Sequence, residues 1–102
     1  MIDFRPATEA DIEFVLRQTA REGWDTARHR VEIHLAHDLG GSFIADDVGE
    51  PVGMVTTTRY RTAGFIGNLI VVPGRRSRGT GRALMERGLA HLEDAGVTTI
   101  RL

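Results

Sequence analysis

The sequence predicts a mixed α/β (α+β) domain, a central sheet of about five strands with about three helices, and three observations lead there. Helical and extended apolar patterns alternate along the chain, which favours a layered arrangement over a bundle or a sandwich. The 102 residues, 41% of them apolar, suit one core and leave little room for a second, so residues 1–102 are expected to form a single domain. Residues 65–102 read as an apolar strand, a glycine-rich loop, an amphipathic helix and a last strand, the order of a parallel crossover.

Ile2 to Arg5 alternates apolar and charged residues before Pro6 and predicts a short first strand. Thr8 opens a helix with Asp11 in capping-box position, and Ile12, Val15, Leu16 and Thr19 fall on one face. Gly23 ends it after about Glu22, Trp24 occupies the corner, and Asp25 can cap a second helix along which Val31, Leu35 and Leu39 recur. Gly40 and Gly41 stop that helix. Ser42 to Asp46 and Val52 to Arg61 form a hairpin around the turn chemistry of Asp47-Val48-Gly49-Glu50. The next turn is expected at Thr62-Ala63-Gly64. Phe65 to Val72 then reads as a central strand buried on both faces, with a local irregularity at Gly67 and Asn68. Pro73 ends it, a loop runs to Gly81, and Ala83, Leu84, Leu89, Leu92 and Ala95 mark the core side of a third helix stopped by Gly96. Val97 to Leu102 is the last strand.

Composition narrows the chemistry. With no cysteine there is no disulfide, thiolate ligand or cysteine nucleophile. No apolar run reaches the roughly 20 residues of a membrane span and the start lacks a signal-peptide core, so the expectation is a cytoplasmic protein without a membrane partner. The net charge of −1 conceals segregation: residues 1–50 hold five Arg against eleven Asp and Glu, whereas residues 51–85 hold Arg59, Arg61, Arg75, Arg76, Arg78 and Arg82 with no acid. Compositional bias accounts for arginine in place of lysine, but not for the missing carboxylates, and the middle of the chain is suited to meet an anion.

The anion's place is predicted at Gly74-Arg75-Arg76-Ser77-Arg78-Gly79-Thr80-Gly81, where a turn of small residues enters a helix. Unpaired amides at a helix start receive phosphate oxygens, glycines let a ligand approach the backbone, and Arg76, Arg78 and Arg82 can add forked, charge-assisted bonds. A diphosphate fits such a seat. The P-loop pattern is excluded because it needs a lysine, and the chain has none. The dinucleotide fingerprint fails because Gly79-Thr80-Gly81-Arg82-Ala83-Leu84 ends in leucine and no acid follows at the ribose position.

The run Arg76-Ser77-Arg78-Gly79-Thr80-Gly81, preceded by Leu69-Ile70-Val71-Val72-Pro73 and followed by Arg82-Ala83-Leu84-Met85, resembles the acyl-CoA loop of the GCN5-related N-acetyltransferase (GNAT) family. The likeness covers that family's first five strands and three helices. It implies acetyl-CoA as cosubstrate and no metal. Backbone groups of Leu69, Ile70 and Val71 would pair with the pantetheine arm, and amides from Ser77 to Arg82, including those of Arg78, Gly79, Thr80 and Gly81, would hold the pyrophosphate. An amide near Leu69 or Ile70 would face the thioester carbonyl. Asn68 either marks the irregularity that opens the sheet or is an ordinary buried amide.

An amine with a pKa of about 10.4 is neutral in only about one molecule in 2,500 at pH 7, so transfer needs a proton acceptor. Some members of the family use a glutamate on the fourth strand; no carboxylate lies between Pro51 and Met85, so that assignment fails. The helix corner offers Glu22, Asp25 and His29, more readily read as a solvated helix end, a helix cap and a surface residue respectively. Trp24 and Tyr60 are the candidates for the acceptor side. His34 and His37 can share a helix face but have no third ligand for a metal.

Many members also carry a tyrosine beyond the fifth strand that protonates the departing thiolate. This sequence stops at Leu102, so the family's C-terminal helix and strands are expected to be absent, with the last strand covered by residues of a longer protein or by a second copy in a homodimer. The reading that results is an N-acetyltransferase acting on a small-molecule or protein amine. A non-catalytic CoA-binding or regulatory module is the alternative. Balanced charge and only 6% aromatics argue against a nucleic-acid partner.

Overall fold

The computed structural model describes residues 2–24, 27–37, 40–76 and 78–102. Strand β1 (Ile2–Pro6) leads through a single 3-10 turn (Glu9–Asp11) into α1 (Ile12–Arg21) and α2 (Arg28–His37); β2 (Phe43–Asp47), β3 (Glu50–Tyr60) and β4 (Ala63–Val71) follow, then α3 (Thr80–Asp94) and β5 (Thr99–Arg101). The sheet runs β1-β2-β3-β4-β5, antiparallel up to β4, with β5 parallel to β4 as the crossover requires.

Local chemistry sets the boundaries. The Thr8 amide donates to Asp11 Oδ2 at 2.8 Å, the reach-back half of a capping box, while the Asp11 amide bonds the Thr8 carbonyl at 2.9 Å and tightens the first turn. Helix α1 ends where Gly23 turns to φ +80°: the Gly23 and Trp24 amides donate to the Ala20 and Thr19 carbonyls, closing a Schellman motif. The β2–β3 turn is two residues, Val48 and Gly49, both at positive φ, the geometry that matches strand twist. The following turn lies at Arg61 and Thr62, with Arg61 at φ +51°, so β4 starts at Ala63, earlier than the sequence suggests. At the other end, pairing in β5 is confined to Thr99–Arg101. Asp25, the predicted cap of α2, and Leu39 lie outside the described residues.

Each face of the sheet carries its own core. Ile12, Phe14 and Val15 of α1 and Val31 of α2 pack on Ile44, Met54 and Ile70; Leu84 and Leu92 of α3, with Val97, pack on Ala45, Val52, Val55 and Ile66 on the other face. Gly88 lets α3 approach closely, since a Cβ there would stand 2.9 Å from Ile66 Cδ1.

The expectation that β4 is buried on both faces is corrected. Gly64, Ile66 and Ile70 are buried while Phe65, Gly67, Asn68 and Leu69 are exposed. Register explains the pattern. Thr56 sits opposite Gly67 and Met54 opposite Ile70, so three steps on β4 match two on β3, and Asn68 takes φ +47° inside this bulge. The extra residue reverses side-chain parity, which is why Ile66 faces α3 while Ile70, four positions on, faces α1. Strand β5 pairs only with Ala63, Gly64 and Phe65. From Ile66 onward, no described strand covers the side of β4 that faces away from β3.

Candidate functional site

The bulge and the α3 start lie at the two ends of this uncovered edge. The Val72 amide bonds the Val52 carbonyl at 2.8 Å, so the Val71 carbonyl, across the same peptide, points away from β3 into the open side. Pro73 and Gly74 then turn the chain, with the Arg75 amide closing on the Val72 carbonyl at 3.0 Å. Gly79 at φ +80° is the N-cap of α3, and nothing lies within 4 Å of where its Cβ would be. The Ala83 amide bonds the Gly79 carbonyl at 3.1 Å; no described backbone carbonyl takes those of Gly79, Thr80, Gly81 or Arg82. The positive end of the dipole and donors without a described carbonyl partner therefore meet at this helix start. Ser77 lies outside the described residues.

The arginines of the loop divide. Arg75 is turned toward the β2–β3 hairpin, 2.5 Å from Asp47 and 3.6 Å from Glu50; that guanidinium holds the Asp47 carboxyl below the usual carboxylate range. Arg76 is committed as well. Its Nε donates to the Val71 carbonyl at 2.8 Å and its terminal nitrogen lies 3.5 Å from Glu22 Oε1. Val71 and Arg76, both expected at the ligand, hold each other here. Arg78 and Arg82 are exposed beside the helix start. Thr80 is buried, so it offers its backbone and not its side chain.

Of the predicted edge residues, Leu69 is 37% exposed on the open stretch and Ile70 is core. Asn68 is at the surface, inside the bulge, which decides against the buried amide and for the residue that opens the strand. Glu22 borders a hollow with Gln18, Arg21, Ile70, Pro73 and Arg76, between the end of α1 and the end of β4. Gln18 is 5% exposed and its Oε1 has no partner among the described residues. Trp24 is 45% exposed at the α1 corner, His29 is exposed, and Asp25 lies outside the described residues.

Between α2 and β3 lies a mostly apolar chamber of about 150 Å³, with Val15, Val31, Leu35 and Met54 among its walls and Arg30, His34, Ser42, Thr56 and Asn68 as its polar groups. An outer hollow shares Arg30 and His34 with it and adds Ile33, His37, Thr58 and Tyr60. Tyr60 is 60% exposed, its ring 6.1 Å from both His37 and Phe65. The two histidines that share a helix face meet carbonyls: His34 Nε2 is 2.9 Å from the Thr57 oxygen and His37 Nε2 is 3.2 Å from that of Arg59. No cluster of metal-ligating side chains occurs among the described residues. The chamber went unread because its walls come from α1, α2, β2, β3 and the bulge, residues up to about 60 positions apart with no spacing in common.

No curated protein matches the sequence. Among solved structures, a putative acetyltransferase from Pyrococcus horikoshii is 29% identical with a TM-score of 0.82, over 97% of this chain and 37% of that one. Ard1 from Thermoplasma volcanium shares the fold at 21% identity and a TM-score of 0.88, over 97% of this chain and 68% of that one. N-acetylglutamate synthase from Neisseria gonorrhoeae, solved with coenzyme A and N-acetyl-glutamate, does so at 19% identity and 0.85, over 98% and 24%. The chain thus spans just over a third of the Pyrococcus protein it resembles. The family described as acetyltransferase (GNAT) matches residues 9–102. With a match across nearly its whole length, on a sheet that opens at β4 beside an arginine-flanked helix start, the chain belongs to the acetyltransferase (GNAT) family.

Proposed function

We propose that the chain binds acetyl-CoA along the open side of β4 and transfers the acetyl group to a primary amine by direct attack on the thioester. The observation that carries this reading is the continuity of one groove: a strand edge that no described strand pairs from Ile66 onward runs into a helix start whose amides no described backbone carbonyl takes. A pantetheine arm carries two amides that need partners, and an exposed edge supplies them as a further strand would. The diphosphate then reaches the amides of Gly79, Thr80, Gly81 and Arg82, with Arg78 and Arg82 beside them. The thioester would lie near the bulge, where an amide of Leu69 or Ile70 stabilises charge that develops on the carbonyl oxygen. The amine would enter from the α1–α2 side, through the chamber that Asn68 borders. Both a small metabolite and a protein amine fit this description; Tyr60, which lines the outer hollow, and the exposed Trp24 are candidate contacts for either.

Calorimetric titration with CoA, followed by a thiol-release assay with acetyl-CoA and a set of primary amines, tests the reading. Saturable CoA binding with amine-dependent thiol release is expected; no heat at millimolar CoA would overturn it. A non-catalytic CoA-binding module is the second reading, favoured by the lack of any carboxylate between Pro51 and Met85. CoA binding with no acetyl transfer to any amine would select it.

A further inference from the structure

We infer that His34 is the proton acceptor for the incoming amine, an assignment that rests on the acyltransferase reading above. Its Nε2 lies 2.9 Å from the Thr57 carbonyl oxygen. A carbonyl can only accept, so Nε2 carries the hydrogen and the lone pair of the neutral ring is on Nδ1. That carbonyl is itself anchored: Thr57 is buried and its Oγ1 donates to the Gly41 carbonyl. The fold thereby fixes tautomer and orientation, as a carboxylate does for other catalytic imidazoles.

Position supports the same role. His34 lines both the inner chamber and the outer hollow, so an amine passing inward meets it before the bulge. Asn68 forms part of the chamber wall, which brings the site expected for the thioester to the same cavity. The charged and titratable groups facing the ring are Arg30 and His37 from α2 and Tyr60 from β3; α1 and β4 contribute Val15 and Asn68, which do not titrate. No described carboxylate lines either hollow, and His34 is the imidazole that lines the inner chamber, with His37 confined to the outer hollow.

In the step this implies, Nδ1 of His34 takes one proton from the ammonium form of the acceptor. The freed nitrogen lone pair attacks the thioester carbon and the C–N bond forms as the carbonyl electron pair moves to oxygen. Collapse restores C=O and breaks C–S, and the sulfur leaves with the bonding pair. The second amine proton passes through water to that thiolate, giving amide and free CoA, and the imidazolium returns its proton to solvent.

Two measurements on the full chain decide the matter. Histidine nitrogen chemical shifts are expected to show His34 as the Nε2–H tautomer with bare Nδ1; an Nδ1–H tautomer overturns the assignment. With tyramine, spermidine and a lysine tripeptide as acceptors, His34→Gln is expected to lower kcat about 100-fold or more and to lose the acidic limb of the pH profile, with CoA affinity unchanged. Added imidazole is expected to restore part of the rate to His34→Ala. A His34→Gln chain that binds CoA and keeps both the wild-type kcat and pH profile overturns the role of His34 alone. A wild-type chain that binds no CoA overturns the acyltransferase reading and this proposal together.

Discussion

Asp11 shows how much one side chain can organise. It is 3% exposed, accepts the Thr8 amide, and receives two nitrogens of Arg5, whose Nε also meets Asp46 at 2.5 Å. Burial alone would raise its carboxyl, but the bonds from Arg5 and Thr8 outweigh that cost and hold it below the usual carboxylate range. A depressed folded-state value means the stabilisation is complete above the ordinary Asp pKa of about 3.9 and is lost as pH falls through the folded value. Asp11→Asn is expected to cost about 2 kcal/mol at pH 7 by urea unfolding, with the deficit shrinking at acid pH. The capping position of Asp11 was legible; its bond to Arg5 was not, because only sheet pairing brings the strand and helix start together. Two glycines separate fold from ligand. Gly81→Ala places its Cβ 3.7 Å from Val71 Cγ2, an ordinary contact, and is expected to gain about 0.5 kcal/mol in thermal unfolding. Gly79→Val forces a branched residue to φ +80° and fills the seat, so calorimetry should show CoA binding weakened at least about tenfold.

Strand β4 is the element on which the reading turns, and it was read half correctly. Its apolar run and the irregularity at Asn68 were visible, because glycine and asparagine interrupt an otherwise continuous strand pattern. Its double burial was not, because the same run of residues describes a strand that is covered and one whose edge is left open for a ligand. Only the register, three residues against two, discloses the parity reversal. Asn68→Gly is expected to keep fold and activity, since glycine adopts φ +47° freely; Asn68→Val should lower stability by about 1–2 kcal/mol in thermal unfolding. Helix α3 was legible nearly to its ends, from Gly79 to Gly96. Its tight seat was not: Gly88→Val would drive a branched side chain into Ile66 and Thr57 and is expected to cost about 2 kcal/mol by denaturant melt.

For the molecule as a whole, two cores share one sheet, and on its open side β5 pairs with only three residues of β4. Hydrogen exchange should therefore be fast at Leu69 and Val71 in the free chain and slow once CoA is present; equal exchange in both states would count against the groove. The helix start proposed as a phosphate seat could be located in advance because its amides are consecutive in sequence. The chamber beside His34 could not, since tertiary packing alone assembles it.

The grip of Arg76 on Glu22 and Val71 has a consequence of its own. An incoming diphosphate would find one of its natural counter-charges already engaged, so occupancy would first have to outbid an internal rival, and success would free a carboxylate at the far wall and a carbonyl along the strand in a single movement. Weakening the rival should favour the guest. Glu22→Gln is expected to tighten CoA by roughly two- to fivefold, the worth of an exposed ion pair, with little change in folding stability.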